Sequence, residues 1–268
     1  MSPPPCSVGL LSVTMLAMLD GWDFYFCKIN DAQASIYLDL GLHDSAPDPR
    51  RPWRLWTWVE LLDVGHSGLG SRDEAQQLYD IEDRLVAAAH RLDATYAGRI
   101  RRTGRWEFYF YGRSPAGFAP AISKLMEGFP EYRYRCDKAE DPGWLFYRNM
   151  LYPASADLQQ IINRRAIDAL RDKGDDLVAA RPVRHWLAFA SEADLQRFAE
   201  QAKADRFTIT KQCQRDTCDD GRPFGLQIER QDYVDQHSID AVVTDLVHKA
   251  ESFDGAYGGW QTEVVKGK

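Results

Sequence analysis

The order of predicted secondary-structure elements after residue 180 constrains the fold of this chain more than any other feature. Hydrophobic periodicity and turn signals predict a strand, a helix, two strands, a helix and a strand. These elements are predicted at residues 183–190, 192–204, 207–214, 224–231, 238–252 and 257–265. A β-α-β-β-α-β order within about 85 residues is typical of a ferredoxin-like domain, with both helices on one face of an antiparallel four-stranded sheet.

The residues before this region predict a second domain, in which a sheet is combined with helices in a mixed α+β arrangement. Strands are expected at residues 22–29, 34–42, 53–62, 95–100, 105–111, 132–136 and 144–149, and helices at residues 72–92 and 116–127. Tyr152-Pro153 interrupts the pattern before a further helix at residues 155–173. We therefore expect an N-terminal domain at residues 21–152 and a C-terminal domain at residues 153–268. Residues 1–20 are expected to form a poorly ordered leader, unless translation begins at Met15 or Met18.

Charge and composition exclude some classes of function. The net charge of −7 argues against a protein that binds nucleic acid through bulk electrostatics, although it permits a basic protein partner. Arginine and aromatic residues do occur together at residues 99–106 and 132–135. Such a pattern suits either stacking on RNA or an edge hairpin whose charges prevent aggregation, and we favour the hairpin, without direct RNA binding.

The cysteine usage and the N-terminal apolar stretch bear on the cellular compartment. Five cysteines without a repeated spacing are typical of a protein from a reducing cytoplasm. Residues 8–19 are apolar, but no lysine or arginine precedes them and the stretch is too short to span a bilayer. The sequence therefore predicts a cytoplasmic protein without a membrane segment.

No group of residues forms a convincing catalytic or metal-binding motif. Cys213 and Cys218 have a spacing found in zinc sites but lack two further ligands, and residues 216–227 fail at two positions of a calcium loop. His185 alternates with apolar residues and is expected to be a core histidine. The glycine-rich residues 65–70 lack the lysine of a phosphate-binding loop. We expect no catalytic residues, no metal and no cofactor.

Short motifs in both halves resemble known families. The C-terminal motifs are Gly174-Asp-Asp176, Arg181-Pro-Val-Arg-His185, Leu195-Gln-Arg-Phe198 and Phe253-Asp-Gly-Ala-Tyr-Gly-Gly-Trp260. Their order resembles the RraB family of regulators of ribonuclease E activity. In the N-terminal half, Trp106-Glu-Phe-Tyr-Phe-Tyr111 and Trp144-Leu-Phe-Tyr147 resemble the bacterial domain of unknown function 695.

The RraB resemblance implies a non-catalytic domain that binds ribonuclease E and reduces RNA cleavage. Candidate partner-binding residues in the C-terminal domain are Asp232, Asp235 and Asp240, which could equally be a solvated turn and helix start. One alternative is an immunity or antidote protein that mimics RNA against a nuclease toxin. Another is a metal-assisted hydrolase.

Overall fold

The chain forms two compact units, each with its own antiparallel sheet. A computed structural model describes residues 21–214 and 220–266. One unit comprises residues 21–153 and the other begins at residue 154. Helices and antiparallel strands are present in both units, so the chain has the predicted α+β class. The predicted leader lies outside the described residues.

The N-terminal unit contains a six-stranded antiparallel sheet in the order β1-β2-β4-β5-β3-β6. Its strands are β1 (Trp22–Ile29), β2 (Ala32–Asp39), β3 (Trp53–Glu60), β4 (Thr95–Arg102), β5 (Arg105–Gly112) and β6 (Tyr134–Glu140). Its helices are α1 (Leu42–Ser45), α2 (Arg72–His90), α3 (Phe118–Met126) and a single π-helical turn (Tyr147–Leu151).

The centre of this sheet is covered on both faces. Alternation along β5 places Trp106, Phe108 and Phe110 against the apolar stripe of α2. On the opposite face, the Tyr111 ring stacks on Trp144 with centroids 3.9 Å apart, and the Tyr111 hydroxyl donates to Asp141 at 2.7 Å. Because both faces are buried, β5 carries aromatic residues on both of them, with an uninterrupted aromatic run from Phe108 to Tyr111.

The predicted strand at residues 144–149 is wrong, since the chain forms a helical turn there. The Asp141 carboxylate accepts hydrogen bonds from the backbone N–H groups of Leu145 at 2.7 Å and Phe146 at 3.0 Å. Trp144 and Tyr147, three residues apart, are both buried, as on one face of a helix. The strand predicted at residues 132–136 is shifted in the structure, where β6 begins at Tyr134 and continues to Glu140.

The residues Ser71-Arg-Asp-Glu74 have the pattern of a capping box, which forms only in part at the start of α2. Ser71 accepts a hydrogen bond from the Glu74 N–H at 3.3 Å. The Glu74 carboxylate does not bond back to the cap, however. It accepts from the backbone N–H groups of Leu62 at 2.9 Å and Asp63 at 3.0 Å, and so ties the end of β3 to the helix start.

The C-terminal unit contains a four-stranded antiparallel sheet in the order β10-β7-β9-β8. Its elements are α4 (Ser155–Asp172), β7 (Arg181–Phe189), α5 (Glu192–Ala204), β8 (Thr208–Gln214), β9 (Phe224–Asp232), α6 (Gln236–Glu251) and β10 (Gly255–Gln261). From β7 onward this is the predicted β-α-β-β-α-β order. Apolar residues of α5 and α6 pack on the same face of β7 and β9, and α4 packs against α6.

Candidate functional sites

A depression of about 660 Å³ lies in the N-terminal unit and is here termed the aromatic groove. Among its lining residues are Trp22, Tyr37, Tyr79, Tyr96, Arg99 and Arg101. Two-residue periodicity puts Arg99 and Arg101 on one face of β4, and the register places them opposite Tyr37 and Ser35 of β2. The groove therefore has arginines on its floor and aromatic rings along its walls.

A buried ion pair fixes the floor of the aromatic groove. The Arg99 guanidinium pairs with the Glu82 carboxylate, which also accepts from the Tyr96 hydroxyl at 2.6 Å. Burial raises the pKa of Glu82, although Arg99 and Tyr96 act in the opposite direction. The guanidinium carbon lies 4.6 Å from the ring centroid of Tyr37 and 4.7 Å from that of Trp106, so rings as well as a carboxylate position it.

Arg101 beside it is held much more loosely. Its nearest hydrogen-bond acceptor is the Ser35 hydroxyl at 3.4 Å, and its guanidinium carbon lies 5.1 Å from the Trp106 ring centroid. Within residues 21–214 and 220–266 no carboxylate pairs with it. Burial, and secondarily the charge of Arg99, lowers the pKa of Arg101. A positive charge thus faces the groove without a neutralising partner among those residues.

These positions correct the edge-hairpin interpretation of residues 99–106. Strands β4 and β5 are interior strands, and the edges of the described sheet are β1 and β6. Arg99 is buried rather than a solvated edge charge. Sequence reasoning missed Glu82 as the partner of Arg99 and Tyr96, since it lies 17 and 14 residues away from them and only the packing of α2 on β4 brings them together. The sequence signal that could have indicated this site is the pair Arg99 and Arg101, two residues apart on one strand and so on the same face of it.

In the C-terminal unit, the three predicted partner-binding aspartates are bonded within the chain. Asp232 accepts from Arg230 at 3.0 Å, and Asp235 caps α6 by accepting from the Ser238 N–H at 3.1 Å. Side-chain and backbone hydrogen bonds from Ser238 lower the pKa of Asp235. Asp240 accepts from the Asn163 and Gln236 amides at 2.8 and 2.7 Å. The three residues therefore lie close in sequence but have separate structural roles.

Asp240 also lines a shallow depression of about 400 Å³ on α6, together with His237, Thr244, Asp245 and His248. Residues 231–254 contain six carboxylates but Lys249 as the only lysine or arginine. That lysine donates to Asp205 at 2.8 Å and to Asp245 at 2.6 Å. We term the exposed side of α6 and its flanking turns, residues 231–254, the acidic face.

The histidines, cysteines and acidic residues of the described chain do not assemble into a metal site. No group of three or more histidine, cysteine or acidic residues that could hold a metal occurs in the described ranges. His185 is buried, with its Nδ1 2.7 Å from the Tyr257 hydroxyl, in agreement with a core histidine. Cys213 is disulfide-bonded and thus not a thiolate ligand. Residues 216–219, at the start of the segment that fails the calcium-loop pattern, lie outside the described chain. Among the described residues no helix is both long and apolar enough to cross a membrane.

Comparison with known proteins gives a family for each unit. No curated protein matches the chain significantly. One matching solved structure is provisionally assigned as a glycine cleavage system transcriptional repressor, at 8% identity over 79% of this chain and 98% of that chain. Its TM-score of 0.24 is too low to support any argument. Residues 20–152 match the family of unknown function DUF695, and residues 160–262 match the family termed regulator of ribonuclease activity B. Each unit of the chain is thus similar to one of these two families.

Proposed function

We propose that this protein binds a ribonuclease of the ribonuclease E type and lowers its cleavage of RNA, without catalysing a reaction itself. The observation that carries this proposal is the match of residues 160–262 to the regulator of ribonuclease activity B family. That match runs from within α4 to the end of β10, so it includes the whole four-stranded sheet and both helices packed on it. A regulator of this kind acts by occupying a surface of the enzyme.

The acidic face is the surface we propose for this contact. Enzymes that bind RNA carry clustered lysine and arginine, because phosphate contacts require positive charge. An acidic surface attracts such clusters and competes with RNA for them. Asp232, Asp235 and Asp240 belong to this surface, but their intramolecular bonds make them poor choices for mutation. Asp245, with a half-exposed side chain in a surface pair with Lys249, can be changed with less risk to the fold.

A charge reversal on the acidic face tests the proposal against a matched control. Asp245→Lys disrupts the Asp245–Lys249 pair, where the side chain of Asp245 is 54% exposed. Glu200→Lys disrupts the equivalent Glu200–Lys203 pair on α5, where the side chain of Glu200 is 71% exposed. Exposed pairs each contribute about 0–1 kcal/mol, so both variants are expected to fold. Binding to purified ribonuclease E is measured by calorimetry, and inhibition by the rate of cleavage of a short RNA.

The unmodified chain is expected to bind ribonuclease E and to slow its cleavage of RNA. The variant Asp245→Lys is expected to weaken both effects about tenfold or more, whereas Glu200→Lys is expected to weaken neither. Affinity is also expected to fall as salt concentration rises, because the contact is between opposite charges. Absence of binding at micromolar concentrations would overturn the ribonuclease proposal. Equal losses in the two variants would instead remove the acidic face as the contact surface.

A further inference from the structure

We propose that the aromatic groove of the N-terminal unit is a binding site for a small aromatic anion, a molecule with one planar ring and one carboxylate or phosphate group. The proposal is independent of ribonuclease binding, since it concerns a different unit and a different ligand. It rests on three features of the groove: an unneutralised guanidinium, exposed aromatic rings, and a charge balance that suits a single negative group.

The anionic group of the ligand is placed at Arg101. Its guanidinium is partly buried and pairs with no carboxylate in the described ranges. Among those residues it makes one hydrogen bond, at 3.4 Å to the Ser35 hydroxyl, besides its contact with the Trp106 ring. Repulsion from the Arg99 guanidinium further disfavours the charged form of Arg101. A carboxylate or phosphate between Arg101 and Ser35 would supply a charge-assisted acceptor and relieve that repulsion. Arg99 adds a buried Nε–H that has no acceptor in the structure.

The planar part of the ligand is placed against the exposed rings of the groove wall. Trp22, Phe24 and Tyr79 remain 38%, 37% and 39% exposed although they line a depression. Trp22 already stacks on Tyr37, with ring centroids 5.0 Å apart, so the wall presents a flat aromatic surface. Rings favour stacking with other rings beyond simple burial of area. A volume of about 660 Å³ suits a ligand of nucleotide size or smaller.

The charges of the groove argue for a ligand with one anionic group rather than several. Arg99 and Arg101 supply two positive charges, and Glu82 and Asp83 of α2 supply two negative ones. Glu82 is neutralised by Arg99, whereas Asp83 lies at the exposed rim. If the first phosphate of a polyphosphate chain bound Arg101, the following phosphates would be repelled by the Asp83 carboxylate. The groove therefore fits one anionic group and does not suit a nucleic-acid strand.

Calorimetry with the full chain tests the two-part recognition. The ligands are adenosine 5′-monophosphate and indole-3-acetate, which join a ring to a phosphate and to a carboxylate, respectively. Adenosine, inorganic phosphate and acetate provide each part alone. At least one of the joined ligands is expected to bind with a dissociation constant of about 100 µM or tighter, and at least tenfold more tightly than its separate parts. Which one binds distinguishes a phosphate ligand from a carboxylate ligand.

Two arginine variants locate the binding. Arg101→Gln removes the charge on the groove floor, and Arg105→Gln makes the same change on the neighbouring strand, outside the groove lining. Arg101→Gln is expected to weaken binding about tenfold or more, and Arg105→Gln to leave it within twofold. The proposal is overturned if neither joined ligand binds, if the separate parts bind as tightly, or if both variants weaken binding equally. Circular dichroism verifies that both variants are folded.

Discussion

His185 gives the C-terminal unit a pH dependence whose size follows from the structure. The imidazole is fully buried, and its Nε2 has no hydrogen-bond partner in the structure. Burial, with a smaller contribution from the charge of Arg230, lowers the pKa of His185 from 6.5 to about 3. Between these values the unfolded chain binds a proton that the folded unit excludes. The free energy of unfolding therefore falls as pH falls, by about 1.4 kcal/mol for each pH unit below 6.5.

The variant His185→Gln isolates this effect. Glutamine does not titrate, and its amide can still bond to the Tyr257 hydroxyl that now lies 2.7 Å from His185 Nδ1. Between pH 7.5 and pH 4.5 the unmodified unit is expected to lose about 2.7 kcal/mol through this histidine, and the variant none of that amount. If imperfect packing lowers the free energy of unfolding of the variant by the same amount at every pH, the test is unaffected. The comparison is between the slopes of the free energy of unfolding against pH.

Urea denaturation followed by pulsed hydrogen exchange and mass spectrometry measures each unit separately. Peptides from β7 and α6 report the C-terminal unit, while peptides from α2 report the N-terminal unit and serve as an internal control. Measurements stay above pH 4.5, where the aspartates with lowered pKa values remain ionised. If the two proteins lose stability with equal slopes in the C-terminal peptides, His185 is protonated in the folded unit and the reasoning is refuted.

Two buried ion pairs give further predictions. Asp175 accepts hydrogen bonds from Arg181 and from the backbone N–H groups at residues 177 and 265, and these bonds lower its pKa to about 2. Asp175→Asn is therefore expected to lower the free energy of unfolding by about 3–5 kcal/mol near pH 7, measured by urea denaturation. The exposed neighbouring change Asp176→Asn is expected to cost less than about 0.5 kcal/mol. In the N-terminal unit, Glu82→Gln leaves the buried Arg99 charge unpaired and is likewise expected to cost about 3–5 kcal/mol, read from α2 peptides.

The C-terminal unit could be predicted from its sequence because local signals there agree with the tertiary structure. Ser191 caps α5 by accepting from the Asp194 N–H at 3.1 Å, and α5 spans the predicted residues. Alternation along β7 places Val183, His185 and Leu187 on the buried face. The neighbouring residues Arg184 and Trp186 are only partly buried. Each strand thus has one covered face, which is the condition under which a two-residue period identifies a strand.

The N-terminal unit was less predictable where tertiary contacts decide the local structure. Residues 144–149 are aromatic enough for a strand, but Asp141 and the hydroxyl of Tyr111, on a distant strand, hold the backbone N–H groups of a helical turn. The aromatic groove has the same origin. Arg99 and Glu82 meet only because α2 packs across β4. The sequence separation between a helix residue and a residue of the following strand does not predict such a contact.

The cost of the Glu82–Arg99 pair supports a binding role for the groove that contains it. Removing two charges from water often costs as much as their attraction returns, and apolar residues of similar size frequently stabilise such a position equally well. Stability therefore does not explain a polar floor beneath a row of aromatic rings. What the pair does supply is position, because the carboxylate and the flanking rings hold Arg99 in one orientation and keep a positive charge beside Arg101. An oriented guanidinium beside a second, loosely held one at the base of an open aromatic depression is an arrangement suited to ligand recognition.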